Sequence, residues 1–164
     1  MLKGIKNKKQ ALRLLYWIIE KKQLTKGKYN YSLSKLDSIV KEWKKEKEEG
    51  KEIFKSPEVS SNKMKGDCDD IATLLGSLTG LSNFKIIYLV SKSNGIYHIG
   101  FAIQGLEKKE TVILDPWLYR GAKKVNLLTD FRSKKIYKSA HKLIVLNCSV
   151  KKNAVLIVES IIER

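Results

Sequence analysis

Three side chains near the middle of this chain could do chemistry together: Cys68, His98 and Asp115. Cys68 lies in Gly66-Asp67-Cys68-Asp69-Asp70-Ile71-Ala72, behind a glycine and among three acids. A structural cysteine usually sits deep in an apolar run. This one stands at the expected entrance of a helix, where unpaired backbone N–H groups and the helix dipole favour a thiolate. His98 follows in the strand-like Tyr97-His98-Ile99-Gly100-Phe101, and Asp115 closes the next apolar run, Thr111 to Leu114. A histidine can take the thiol proton, and an aspartate can orient the imidazole and stabilise its charged form. The Cys68 backbone N–H would supply one oxyanion donor.

Taken singly, each residue also has an ordinary structural reading. Cys68 could pack under a loop, His98 could be a half-buried strand residue, and Asp115 before Pro116 could simply end a strand. Asp67, Asp69 and Asp70 could cap and charge a helix start. Three acids beside a thiolate oppose its ionisation, so some must point away or pair with lysines. His141 and Cys148 sit at the two ends of a strand-like run and read as core or edge residues.

Helices come first in the chain and strands later. Residues 8–24 have the apolar spacing of a one-faced helix (Ala11, Leu12, Leu15, Ile18, Ile19). Ser34 with Asp37 resembles a capping box opening a second helix, with Leu36, Ile39, Val40 and Trp43 as its inner stripe. That helix is expected to run on through the charged Lys44–Glu49 to a stop at Gly50. Residues 51–65 show no period, and Ser56-Pro57 argues for a loop. The Cys68 helix is expected over 67–81, with Ile71, Leu74, Leu75 and Leu78 inward and the small Ala72, Gly76 and Ser77 allowing a close approach to a sheet. Strands are expected over 84–90, 96–104, 111–114, 142–147 and 154–162, the last with a short helix as alternative; 91–95 is a turn with an Asn-Gly signal. Helices followed by a strand meander imply an α+β fold with an antiparallel sheet. The expected organisation is one domain over 1–164, with a helical part at 1–50 and the cysteine helix and sheet at 66–164.

Composition narrows the functions. Two cysteines and two histidines exclude a disulfide framework and argue against zinc, so no metal and no cofactor is expected. No apolar run reaches the ~20 residues that span a bilayer, and no signal peptide is legible, which points to a soluble cytoplasmic protein without a membrane partner. The net charge of +16 would draw acidic proteins or nucleic acid. Only four of the 33 basic residues are arginine, however, which argues against base-specific reading. Between Arg120 and Lys142 there are eight basic residues and one acid, Asp130. Trp117, Arg120, Lys123 and Lys124 are therefore candidates for a positive rim that binds acidic substrates, the alternative being a solvated loop. For Trp117 the alternatives are core and cleft wall.

Over residues 55–118 the chain resembles the transglutaminase-like superfamily: its cysteine motif in Gly66–Ala72, its histidine strand in Ile96–Phe101, and its Asp-Pro segment in Ile113-Leu114-Asp115-Pro116-Trp117. Spacings of 30 residues from Cys68 to His98 and 17 from His98 to Asp115 suit that pattern. It looks most like the short stand-alone versions encoded by viruses and mobile elements, which adds a virion-associated location as an alternative. The resemblance implies a papain-like core, with Cys68 as nucleophile, His98 as base and Asp115 as orienter. The implied activity is a cysteine hydrolase or acyltransferase working through a thioester on a protein or peptide substrate. The alternative on the same fold is a non-catalytic structural or polyanion-binding module. Family members carry a further residue that completes the oxyanion hole; Asn62 and Trp43 are the candidates here. No calcium-loop cluster like that of the large animal transglutaminases is visible.

Overall fold

The computed structural model describes Lys9, Arg13 and residues 31–46, 55–79, 84–93, 96–105, 110–125, 142–150 and 156–163. Lys9 and Arg13 are helical. The rest of the first expected helix lies outside the described residues, as do residues 126–141, His141 among them, and residues 47–50.

Helix α1 spans Leu33–Glu42 and starts two residues earlier than the Ser34/Asp37 box implies, because Ser32 is the cap and its side chain accepts the Lys35 N–H at 3.4 Å. Asp37 is thereby free for another task. Its Oδ1 accepts the Ala122 N–H at 2.6 Å, while Oδ2 pairs with Lys41 at 2.8 Å. The expected continuation to residue 49 is not what forms. Trp43 leaves the helix in an extended conformation, buries its ring, and donates Nε1–H to the Gly66 carbonyl at 3.3 Å. Burying that indole outweighs continuing a charged, weakly held helical turn. Lys44–Lys45 (β1) then pairs in parallel with Lys65–Gly66 (β2).

The expected loop over 51–65 contains a helix, α2, at Pro57–Lys63. Proline suits the first helical position, where its missing N–H costs nothing, and Ser56 caps from outside by accepting the Val59 N–H at 3.4 Å. Ser-Pro therefore starts a helix here and does not break one. Met64 closes α2 in the left-handed region (φ 50°), with its N–H on the Ser60 carbonyl at 2.8 Å, and turns the chain into β2.

Helix α3, Cys68–Leu78, is buried at all eleven positions and stops at Thr79, whose N–H and Oγ1 both donate to the Leu75 carbonyl. It packs on a six-stranded sheet in which every pairing is antiparallel. The strands are β3 (Phe84–Ser93), β4 (Ile96–Gly105), β5 (Thr111–Ile113), β6 (Lys123–Val125), β7 (Lys142–Val150) and β8 (Leu156–Glu163). Their order across the sheet is β6-β5-β4-β3-β7-β8. The last segment is thus a strand, and β6 is a strand where the sequence implied loop: Val125 pairs with Thr111 and Lys123 with Ile113.

Alternation along β3 and β4 sorts their side chains. Ile86, Tyr88, Val90, Tyr97, Ile99, Phe101 and Ile103 join α3 in the main core, where Tyr88 and Phe101 meet edge to face at 5.5 Å. Ile87, Leu89 and Ala102 form a second cluster with Ile113 and Val145. Both faces of the central strands are therefore covered. Cys148 is buried across from Ile86, a core residue as one of its readings held. Among the described residues no helix is long and apolar enough to cross a membrane.

Gly66 is the tightest point of this arrangement. A Cβ there would lie on the Asp70 carboxylate and 2.8 Å from the Asp70 Cβ. Gly66→Ala is expected to lower stability by about 2 kcal/mol, since neither Asp70 nor the β1–β2 pairing can yield. Urea unfolding followed by circular dichroism checks this, and a loss under ~0.5 kcal/mol would show that the Gly66–Asp70 contact relaxes freely.

Candidate active site

Three elements fix Cys68. The Gly66 carbonyl accepts the Glu46 N–H at 2.9 Å and the Trp43 ring N–H at 3.3 Å, tying β2 to the chain leaving α1. Asp67 is the N-cap of α3 in a capping box: Asp70 Oδ2 accepts the Asp67 N–H at 3.1 Å, and the Asp67 side chain faces the Asp70 N–H. Cys68 is then the first helical residue, whose N–H has no acceptor within the helix.

His98 and Asp115 come from adjoining strands. The Leu114 N–H donates to the Phe101 carbonyl at 2.9 Å, carrying the β4–β5 ladder to the residue before Asp115. Asp115 Oδ2 lies 2.7 Å from His98 Nε2, and Oδ1 accepts the Trp117 N–H at 2.9 Å. Both carboxylate oxygens are thus occupied. The Asp115 carbonyl accepts the N–H groups of Leu118 and Tyr119, each at 3.0 Å, closing a turn. The half-buried Trp117 packs on the core and sets its ring 5.7 Å from the imidazole, so it is a wall of the site as well as a core neighbour.

Nε2 is engaged by Asp115, and Cys68 lies near enough to the ring to favour its charged form. Burial of the ring works against its charge, but Asp115, then Cys68, and the hydrogen bonds to both outweigh it, and the His98 pKa is pushed up to about 10. The imidazolium is therefore the favoured form of His98 at neutral pH. Cys68 is 0 % exposed and Asp115 2 %. The His98 side chain, at 16 %, is the member of the three that meets solvent.

The acids around the thiol divide the problem that their sequence posed. Asp70 takes the Lys55 N–H at 3.2 Å and stands 3.7 Å from Lys55 Nζ, which is also held by Glu46 at 2.9 Å. Burial and the neighbouring Asp67 still raise the Asp70 carboxyl, to about 6. Asp69 is pushed up to about 12, first by burial and then by Asp67, with which it shares a hydrogen bond. It is a neutral acid and adds no negative charge beside the thiol. Asp67, Asp69 and Asp70 each offer an oxygen, all within 4.8 Å of one another, and these hard donors suit calcium or magnesium better than zinc.

The remaining candidates fall in other places. Trp43 lies beside the cysteine segment, but its one N–H is committed to Gly66. Asn62 is exposed on α2 and lines a cavity of about 300 Å³ with Tyr31, Leu74 and Ser77, without Cys68, His98 or Asp115. Arg120, Lys123 and Lys124 are exposed and line a groove against α1. Sequence reasoning missed Lys55, which lies in the aperiodic stretch and meets Asp70 only after folding.

No family model matches this sequence, and no curated protein matches it. Solved structures of Legionella pneumophila LapG are similar to it. The calcium-bound form is 22 % identical over 60 % of this chain and 59 % of its own, with a TM-score of 0.43. A second LapG structure is 19 % identical over 68 % and 62 %, TM-score 0.44. The EGTA-treated form is 17 % identical over 77 % and 70 %, TM-score 0.47. This chain thus spans about three fifths of the first two.

If His98 holds Cys68 as a thiolate, iodoacetamide labelling of the native protein should be nearly independent of pH between about 6 and 9, below the raised imidazole pKa. In His98→Gln the rate should rise about tenfold per pH unit, as an ordinary thiol does below its pKa of ~8.5. Mass spectrometry of the Cys68 peptide measures both profiles. Parallel profiles would mean the thiol is not activated by His98.

Proposed function

We propose that this chain is a transglutaminase-like cysteine hydrolase or acyltransferase with a papain-like core, acting on an amide or ester bond of a protein or peptide. The observation that supports this most is the His98–Asp115 hydrogen bond at 2.7 Å beside the Cys68 thiol, with the thiol at a helix N-terminus and both carboxylate oxygens of Asp115 engaged. Cys68 Sγ attacks the carbonyl carbon, and the oxygen that gains charge meets the Cys68 N–H. The His98 imidazolium gives its proton to the departing amine or alcohol as the bond to carbon breaks, leaving a thioester. Water or an amine then attacks the thioester carbon, His98 takes the attacker's proton, and the C–S bond breaks to restore thiolate and imidazolium. Asp115 does not exchange its proton inventory; it holds the ring.

A second reading is favoured by one observation, the complete burial of Cys68. On it the same fold is a non-catalytic module that uses its basic surface to hold a polyanion.

The acid cluster behind the thiol fits a hard divalent cation. Asp69 Oδ1 is buried and, among the described residues, has no hydrogen-bond partner, and Lys55, which pairs with Asp70 and also feels Asp67, is shared with Glu46. Asp67, Asp69 and Asp70 would hold Ca²⁺, which would replace the Asp69 proton as the neutralising charge and secure the start of α3.

Incubation with p-nitrophenyl acetate should leave an acetyl group on Cys68, found by mass spectrometry of that peptide, and Cys68→Ala should abolish both adduct and release of p-nitrophenol. An unmodified Cys68 with undiminished hydrolysis by Cys68→Ala would defeat the enzyme reading in favour of the second. For the cation, calcium should raise the unfolding temperature above that in EGTA by several degrees, of the order expected for ~1–2 kcal/mol of linked binding. Asp69→Asn should remove the difference, and equal melting in calcium and EGTA would exclude the site.

A further inference from the structure

We infer that the groove between α1 and β6 docks an acidic stretch of polypeptide that also carries apolar side chains, and so sets the substrate class presented to the thiol. The groove has a volume of about 730 Å³; its walls include Leu33, Asp37 and Lys41 on one side and Tyr119, Arg120 and Lys123 on the other. Lys124 joins the second wall, which gives four cations against one carboxylate.

That carboxylate is already satisfied. Asp37 is held below the usual carboxylate range by the Lys41 hydrogen bond and the Ala122 N–H, so it offers a ligand little bare charge. Lys124 reaches Glu110 at 3.6 Å, but both side chains are mostly exposed and such a pair is easily exchanged. Arg120 and Lys123 have no carboxylate within ion-pair distance among the described residues. Lys123 instead sits 6.0 Å from the Tyr119 ring centre, fixed over an aromatic face. Between these cations the lining is apolar, with Val112 and Ala122 beside Leu33 and Tyr119.

This mixture selects between polyanions. A nucleic acid is gripped by phosphate contacts strung along a basic stripe and by open aromatic platforms for bases. Here the aromatic ring has the Lys123 ammonium over it, and Leu33, Val112 and Ala122 add aliphatic lining between the cations. Glutamates alternating with leucine-like residues would satisfy both kinds of wall.

One wall of the groove is joined to the triad through the chain. Tyr119 and Arg120 end the turn that begins at Asp115, and the Tyr119 N–H donates to the Asp115 carbonyl at 3.0 Å. A chain lying in the groove is therefore held on the turn that orients His98. The word substrate rests on the thiol-enzyme reading, whereas the docking itself does not.

The test uses the full chain as Cys68→Ala and a fluorescein-labelled peptide of alternating Glu and Leu pairs, read by fluorescence anisotropy. The controls are a twin with Gln for Glu and a single-stranded oligonucleotide of equal length. The acidic peptide should bind at least about tenfold more tightly than its Gln twin, and R120E/K123E should weaken it at least about tenfold. Lys63→Glu, exposed at the end of α2 and outside the groove, should leave its affinity unchanged. If circular dichroism shows R120E/K123E to be unfolded, R120Q/K123Q takes its place with the same expectation. Equal binding of the Gln twin, indifference to the groove substitutions, or tighter binding of the oligonucleotide through the same residues would each overturn the proposal. Acid-selective binding without a reactive Cys68 would sink the enzyme reading and leave the groove; a reactive Cys68 without acid preference would sink the groove alone.

Discussion

The Asp70 carboxylate is the constraint on which the site depends. It accepts the N–H of Asp67 and the N–H of Lys55, stands beside the Lys55 ammonium, and fills the space that any side chain at residue 66 would need. These contacts join α3, the segment before α2, and β2. With Gly66 also receiving hydrogen bonds from Glu46 and Trp43, the first turn of α3 has little freedom, and the Cys68 thiol inherits that fixity. A buried carboxylate is costly unless hydrogen-bonded and paired. Here the cost is offset by the same interactions that place the Cys68 thiol.

The electrostatics of the centre follow a related logic. Of three acids in four residues, Asp69 carries its proton, Asp70 is paired with a lysine, and Asp67 belongs to the cap. What remains to act on the imidazole is Asp115 on one nitrogen and the thiol on the other. Asp115 and the thiol push the His98 pKa up to about 10 against the burial of the ring, so the imidazolium is its favoured form. Cys68 itself is fully shielded from solvent.

What the sequence revealed was local and periodic. Cys68 at a helix start, the β3–β4 hairpin, and Asp115 just past β5 are each announced by residue type or alternation within a few positions, and the structure brings the three together. The errors are all places where a distant partner decided. Trp43 ends α1 because its indole has a burial site and an acceptor at Gly66, 23 residues on. Ser56-Pro57 reads equally well as loop or as helix start, and its neighbours on α3 settle which. Strand β6 has two exposed lysines and no strand-like composition, and pairing with β5 makes it a strand. Lys55 gave no signal because its role exists only in three dimensions.

The hydrogen bond from Ala122 to Asp37 bridges 85 residues. It has a consequence in time. During synthesis Cys68 emerges well before the turn that carries Asp115 and Ala122, while α1, which must hold that turn, is already made. In a growing chain Cys68 therefore precedes its His98 and Asp115 neighbours, and the three meet only when a late segment returns to an early helix.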